Sequence, residues 1–323
     1  MMNEAQAADP MNCETCVIPC QRFGKHRNGL RRFRCPKCHK TYTEAHHRTL
    51  ESMYISQEKA TLAIRLLVEG NSIRSTERIC GLDRNTLLSL IVKAGDRCQR
   101  LLNERIVNLP VKDVEVDEIW GYIFKKENHK FKHELANDRI GDCYCFVALE
   151  SNTKLVLTHY LGKRTAESTD QFIARLALAT DKTQYQLTSD GFGPYKPAVK
   201  SYLRSRVHFA QLVKVYASST DGEQRYSPAE VVDAVPEIVM GNPDRDRICT
   251  SYVERQNLSI RMGMRRMTRL TNGFSKKWEN LQAAYSLWFA YYNFCRIHKT
   301  LRVTPAMEAG IADHIWTIAE LIA

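Results

Sequence analysis

The chain has no apolar run approaching the roughly 20 residues that a membrane span needs. Its longest apolar stretches are each interrupted by Arg, Lys or Asn within that window, so a soluble, cytoplasmic protein with no membrane partner is expected. No secretory leader precedes the first cysteines, and no internal repeat or low-complexity segment is found. Acid is scarce in two places. Between Gln21 and Arg48, Glu44 is the lone acid against Arg22, Lys25, Arg27, Arg31, Arg32, Arg34, Lys37, Lys40 and Arg48. From Arg255 to Trp278 there are seven basic residues and no acid. Cysteine is thin over most of the length, with five of the eleven falling in the first 38 residues. An odd, clustered set without a leader points to reduced thiolates on a metal and away from a disulfide framework.

What is present is a chain of 323 residues, 44% hydrophobic, enough for two or three domains. Lysine and arginine outnumber aspartate and glutamate by 47 to 36, in patches. Polyanions are the natural partner of such patches, because each neutralised phosphate releases condensed counterions.

Residues 1–12 are polar and without periodicity, which predicts a disordered tail. Cys13-x-x-Cys16 and Cys35-x-x-Cys38, 18 residues apart, have the spacing of two knuckles closing a four-thiolate zinc site, and predict a zinc ribbon over 13–50. Cys20, His26 and His39 are near enough to substitute as ligands. Four thiolates leave no open position, so the zinc is structural, and it supplies folding free energy that so short a segment lacks. Arg31, Arg32 and Arg34 would present cations to DNA from that support.

Residues 51–108 read as a helix-turn-helix domain. Ala60–Val68 is periodic and stops at Gly70; Ser72 is placed to cap Ile73–Cys80; Gly81-Leu82 turns; Asp83 caps the next helix. That helix exposes Arg84, Asn85, Thr86, Ser89 and Lys93, the docking pattern of a recognition helix in a major groove. Asn108-Leu109-Pro110 marks a boundary.

From 109 to 323 the pattern is mixed α/β with a helical C-terminal end. Strands are expected at Val114–Asp117, Cys143–Leu149 and Lys154–Leu161 as an antiparallel meander, then a helix over Ser168–Ala179. A strand over Gln184–Thr188 ends at Ser189-Asp190-Gly191 and a helix follows over Lys196–Arg206. Ser218–Arg247 carries no assignable motif. A helix begins near Ser251 and another spans about Phe274–Phe294, whose Trp278, Leu281, Tyr285, Trp288, Tyr292 and Cys295 form a core stripe.

Asp117 at a strand end, Asp190 just after another and Glu254 one turn into a helix are carboxylates on rigid element ends, as two-metal phosphodiester chemistry requires. Glu118 competes for the first position. Alternation sends Asp117 and Glu118 to opposite faces, so one of them is expected to reach the site. Arg261, about two turns after Glu254, could hold a phosphate.

Arg31-Arg32-Phe33-Arg34-Cys35, Val116-Asp117-Glu118-Ile119-Trp120-Gly121, Ser251-Tyr252-Val253-Glu254-Arg255-Gln256-Asn257 and the stretch from Tyr292 to Leu301 with Thr304-Pro305 together resemble transposases of the insertion sequence one family. The resemblance implies a ribonuclease H-like catalytic fold and a DDE triad of Asp117, Asp190 and Glu254 binding magnesium, or manganese in its place. It also implies recognition of terminal inverted repeats in double-stranded DNA, with cleavage and strand transfer in a synaptic complex of at least two copies. Two other classes remain open: a regulator that binds an operator without catalysis, and a ribonuclease H-like nuclease that cuts without joining.

Overall fold

The computed structural model describes residues 11–26, 29–44, 50, 53–216 and 231–323. Most of the expected N-terminal tail, Arg27, Arg48 and the 218–230 part of the unassigned stretch lie outside these residues. By its contacts the chain divides into two units, Met1–Ser56 and Gln57–Ala323.

The first unit is a three-stranded antiparallel sheet, β1 (Gln21–Lys25), β2 (Arg31–Arg34) and β3 (Thr41–Thr43), with two Cys knuckles. Each knuckle closes the same way. The Val17 N–H bonds the Cys13 carbonyl and the His39 N–H that of Cys35, and Val17 and His39 both take positive φ, 54° and 61°.

The second unit opens with α1 (Gln57–Val68), α2 (Ile73–Cys80) and α3 (Arg84–Arg105). Their ends follow the capping chemistry read from the sequence. Ser72 Oγ accepts from the Ser75 N–H at 3.0 Å, Asp83 Oδ1 from the Asn85 N–H at 2.8 Å, and Gly81 closes α2 at φ 62°. The expected boundary at Pro110 falls inside the second unit, where α3 runs on for 22 residues and packs against a helix far along the sequence, α7 (Trp278–Ala290). The crossing is so close that a Cβ on Gly95 would sit 2.3 Å from the Ala283 carbonyl oxygen. Beside it, Ser286 donates to Gln99 Oε1 at 2.9 Å.

The rest is a six-stranded mixed sheet: β4 (Asp113–Ile123), β5 (Gly141–Glu150), β6 (Val156–Gly162), β7 (Tyr185–Asp190), β8 (Val207–Tyr216) and β9 (Val231–Met240), in the order β6-β5-β4-β7-β8-β9. The meander β4-β5-β6 is antiparallel as expected; β4, β7 and β8 run parallel; β9 returns antiparallel. Two of these strands were not anticipated. β8 is a run with one buried glutamine, and β9 contains Pro236, which reads as a breaker. Pro236 is tolerated because β9 is the edge strand, where a missing N–H need not leave a ladder bond unmade.

One face of the sheet is covered by α4 (Ala166–Ala179) and α5 (Tyr195–Tyr202), through Phe172, whose ring lies 5.5 Å from Phe146. The other is covered by α6 (Ser251–Gly263) and α7. Phe289 of α7 meets His159 of β6 at 4.7 Å, and Asn293 bonds both the N–H and the carbonyl of Val156, at 3.1 and 2.9 Å. The aromatic stripe is core for Leu281, Tyr285, Trp288 and Tyr292, but α7 starts at Trp278, and Tyr291–Cys295 continue it as a π-turn. Phe274–Lys277 are instead a loop whose Ser275 bridges Ile123.

Candidate functional site

Among the described residues two clusters gather ligand atoms, one in each unit. In the first unit the sulfurs of Cys13, Cys16, Cys35 and Cys38 lie within 4.8 Å of one another. Cys13 and Cys38 approach to 3.5 Å, far beyond a disulfide bond, and all four are free thiols. A tetrahedron with metal–sulfur bonds of about 2.3 Å has an edge of about 3.8 Å, so the spacing suits such an ion. The knuckle N–H groups of Cys16 and Cys38 point at the Sγ of Cys13 and Cys35, both at 3.4 Å. Tyr42, bonded to Cys13 at 3.2 Å, helps bring that thiol down to about 6, whereas burial and then the neighbouring sulfurs push Cys16 up to about 12. Four sulfurs converging at this spacing form a donor set that fits a thiophilic metal. Cys20, His26 and His39 stay outside the cluster.

Of the basic residues there, Arg31 is tied to Glu44 by an ion pair and a 2.7 Å backbone bond. Arg32 and Arg34 lie over the Phe23 ring, at 5.2 and 5.1 Å. At the start of α3, Arg84, Asn85, Ser89 and Lys93 are exposed and Thr86 is half-buried.

The second cluster is acidic and sits where β7 ends. β4 and β7 pair from Asp113 to Val116, so Asp190, the last residue of β7, arrives beside Asp117. Asp117 therefore lies in the middle of β4 and not at a strand end; β4 continues to Ile123 through alternating aromatic residues. The expectation that only one of Asp117 and Glu118 could reach the site is corrected. Carboxylate oxygens of Asp117, Glu118 and Asp190 all lie within 4.8 Å of one another. Alternation does hold, since Asp117 accepts from Asn257 of α6 at 2.8 Å on one side while Glu118 meets Arg164, ahead of α4, at 3.1 Å on the other. Because β7 stops at Asp190, that edge of β4 is uncovered, and carboxylates from both faces reach round it.

Glu254 stands beside this trio without joining it. It accepts from Thr250 Oγ1 at 2.6 Å and is ion-paired to Lys214 of β8. Its negative charge nevertheless acts on Asp117. Burial, reinforced by Asp190, raises Asp117 to about 7, and burial and Asp190 raise Glu118 to the same range. The Glu118 side chain is only 2% exposed, and the buried Tyr195 hydroxyl beside it partly offsets the rise. Crowded carboxylates form an all-oxygen donor set, which fits a hard divalent cation.

Several side chains that hold this arrangement escaped the sequence reading. Arg164 bridges Glu118 and Asp190, at 3.1 and 3.6 Å, while stacking over Phe192. Gln211 of β8 donates to the carbonyls of Asp190 and Phe192 at 2.8 and 3.1 Å and so fixes the turn after β7. Glu115, buried two residues before Asp117 and on the same face of β4, accepts from the Val253 N–H at 2.9 Å and satisfies the start of α6. Asn257, three residues after Glu254 and on its side of the helix, was legible as an i, i+3 neighbour. Arg261 is turned inward: it donates to the carbonyls of Met267 and Trp120, both at 3.1 Å, and braces α6 against β4.

No protein-family model and no curated protein matches the sequence. Among solved structures the chain is similar to the piggyBac transposase synaptic complex with hairpin DNA, determined by cryo-electron microscopy. The two share 11% identity and a TM-score of 0.39, over 86% of this chain and 72% of that one, a likeness too slight to carry an argument.

Proposed function

We propose that the protein is a DNA transposase, of the insertion sequence one type that its motifs resemble, acting through a DDE site of Asp117, Asp190 and Glu254. The observation that carries the reading is the convergence of Asp117 and Asp190 from adjacent parallel strands, with α6 delivering Glu254 and Asn257 to the same edge. The strand order, three antiparallel then two parallel with helices on both faces, suits a ribonuclease H-like domain. The exposed start of α3 and the basic ribbon supply surfaces for duplex DNA, and the four thiolates suit a structural zinc.

Magnesium or manganese ions bound there would supply activation of the attacking oxygen and stabilisation of the leaving oxygen of a phosphodiester. The chain's own contribution is positional. Asn257 orients Asp117, Gln211 sets the backbone at Asp190, and Glu115 anchors the helix that bears Glu254. Arg164, paired with Glu118 and Asp190, and Lys214, paired with Glu254, would offset charge that develops on a phosphate held at the cluster. Synapsis of two transposon ends requires at least a dimer.

The test uses purified protein, magnesium or manganese, and a labelled duplex carrying the ends that flank its gene. Metal-dependent nicking at the end and joining to target DNA, both lost in Asp190→Ala, is the expected result. Tight binding of the ends with neither cutting nor joining under any metal replaces this reading with a DNA-binding regulator. Cutting without joining replaces it with a nuclease.

A further inference from the structure

β4 outruns its neighbour. β7 ends at Asp190, and β4 has no named strand along that edge until Ile123 bridges Ser275. The open stretch faces the segment from Arg266 to Phe274 across a cavity of about 400 Å³, within the range of small-ligand sites. Its walls are of two kinds. Trp120, Tyr122 and Phe274 form a row of rings with centroids 5.8 and 4.9 Å apart. The rest is cationic or uncharged: Arg261, Arg266, Arg269 and Lys126, whose Nζ lies 5.7 Å from the Trp120 ring, stand among Met267, Leu270 and neutral polar side chains, and no acid lines it among the described residues.

Arg266 is the informative residue. Its Nη1 donates to Ser275 Oγ at 2.8 Å, but its Nη2 is buried with no acceptor. Burial lowers its pKa to about 10, and no carboxylate is at hand to compensate. A buried cation left unpaired is costly, and an anion entering the cavity would relieve it. Rings beside a forked cation match the two parts of a nucleotide, a base with two π-faces and a phosphate. Alternation places Glu118, Trp120 and Tyr122 on one side of β4, so the first ring stands only two residues, about 7 Å of strand, from the acidic cluster.

We propose that this cavity receives one nucleotide turned out of the duplex beside the phosphodiester held at the acidic cluster. Its base stacks on the Trp120–Phe274 row and its phosphate pairs with Arg266. The proposal rests on the DNA-cleaving reading of that cluster. Turning out a base costs a few kcal/mol, and the stacking and the charge pairing offset it.

The test takes the full chain carrying Asp190→Ala, bound to the end duplex. Thymine is set in turn at each position within three of the cleavage point, and the complex is probed with permanganate, which attacks unstacked thymine. One position should become on the order of tenfold more reactive, and should return to the duplex level when Trp120→Ala is added. Phe274→Ala and Arg266→Met, each lowering the same signal, guard against a fold defect peculiar to one variant. With Asp190 intact, Trp120→Ala should cut on the order of tenfold more slowly and recover on a duplex lacking that base. A flat ladder on DNA that the wild-type chain cuts, or one unchanged by Trp120→Ala, overturns the cavity's role and leaves the acidic cluster standing. Failure of the wild-type chain to cut overturns both.

Discussion

Asn257 shows how much a single amide does at this site. Among the described residues it is the neutral side chain bonded to Asp117, and it fixes that carboxylate from the helix that also bears Glu254. Partners of this kind typically matter by 10–100-fold in metal affinity or activity. Asn257→Ala is therefore expected to reduce cleavage by about that factor, with more magnesium needed for half-maximal rate and DNA binding unchanged. A magnesium titration of nicking, run beside a gel-shift assay, separates this from general damage: loss of DNA binding in the variant would show that the amide holds the fold and not the metal site. Glu118 makes a different point at the same scale. Its side chain is nearly closed off from solvent and its pKa is raised, features that belong to the interior of a site and not to a solvated surface acid. Of the charges that raise it, Asp117 is its neighbour in sequence, but Asp190, the larger, comes from β7.

Among the elements, α3 and α6 matter most, because each serves two neighbours. The first turn of α3 offers exposed polar residues, while its later turns lie on α7 with glycine and alanine at the crossing. In a free helix Gly95→Ala would gain up to about 1 kcal/mol of propensity. Here the added methyl would meet backbone atoms of Ala283 at 2.3 and 2.5 Å, and those cannot swing aside. The substitution is expected to destabilise the chain by about 1–3 kcal/mol net, read as a fall in thermal midpoint; a rise would mean that the two helices separate without cost. The π-turn after α7 and the Pro-containing β9 are elements that pattern alone misassigns, because their irregularity is made good by tertiary partners and position in the sheet.

For the whole molecule, the acidic cluster links stability to pH and metal. Asp117 and Glu118 titrate near 7 in the fold, chiefly through burial, against ordinary values of 3.8 and 4.5. Between about pH 4 and 7 the folded chain thus holds more protons than the unfolded chain, so the slope of stability with pH from these groups is negative. Their contribution is complete below pH 4 and is lost as pH rises through 7. A rise of that size is on the order of 4 kcal/mol for one such group, and the two are not additive because they share Asp190. In EDTA, urea unfolding should show stability lost from pH 5 to 8 in the wild-type chain relative to an Asp117→Asn, Glu118→Gln variant, with magnesium restoring much of the difference. Equal pH profiles for the two proteins would show that the carboxyls do not titrate together at a shared site.

The sequence by itself determined what depends on local chemistry. The knuckle spacing, the caps Ser72 and Asp83, the turn at Gly81, the meander from β4 to β6 and the placing of Asp190 at the end of β7 are set within a few residues of one another. Only the tertiary structure decided that Asp117 and Glu118 share one edge, because this depends on where β7, a strand far along the sequence, stops. The same holds for Glu254, which stands next to the trio in an ion pair with Lys214, and for Arg261, which braces backbone carbonyls. It also holds for α1–α3, which belong to the second unit and in which Gly95 lets α3 approach Ala283 of α7. Each of these depends on distance in space between residues far apart in sequence, a quantity that periodicity and spacing do not encode.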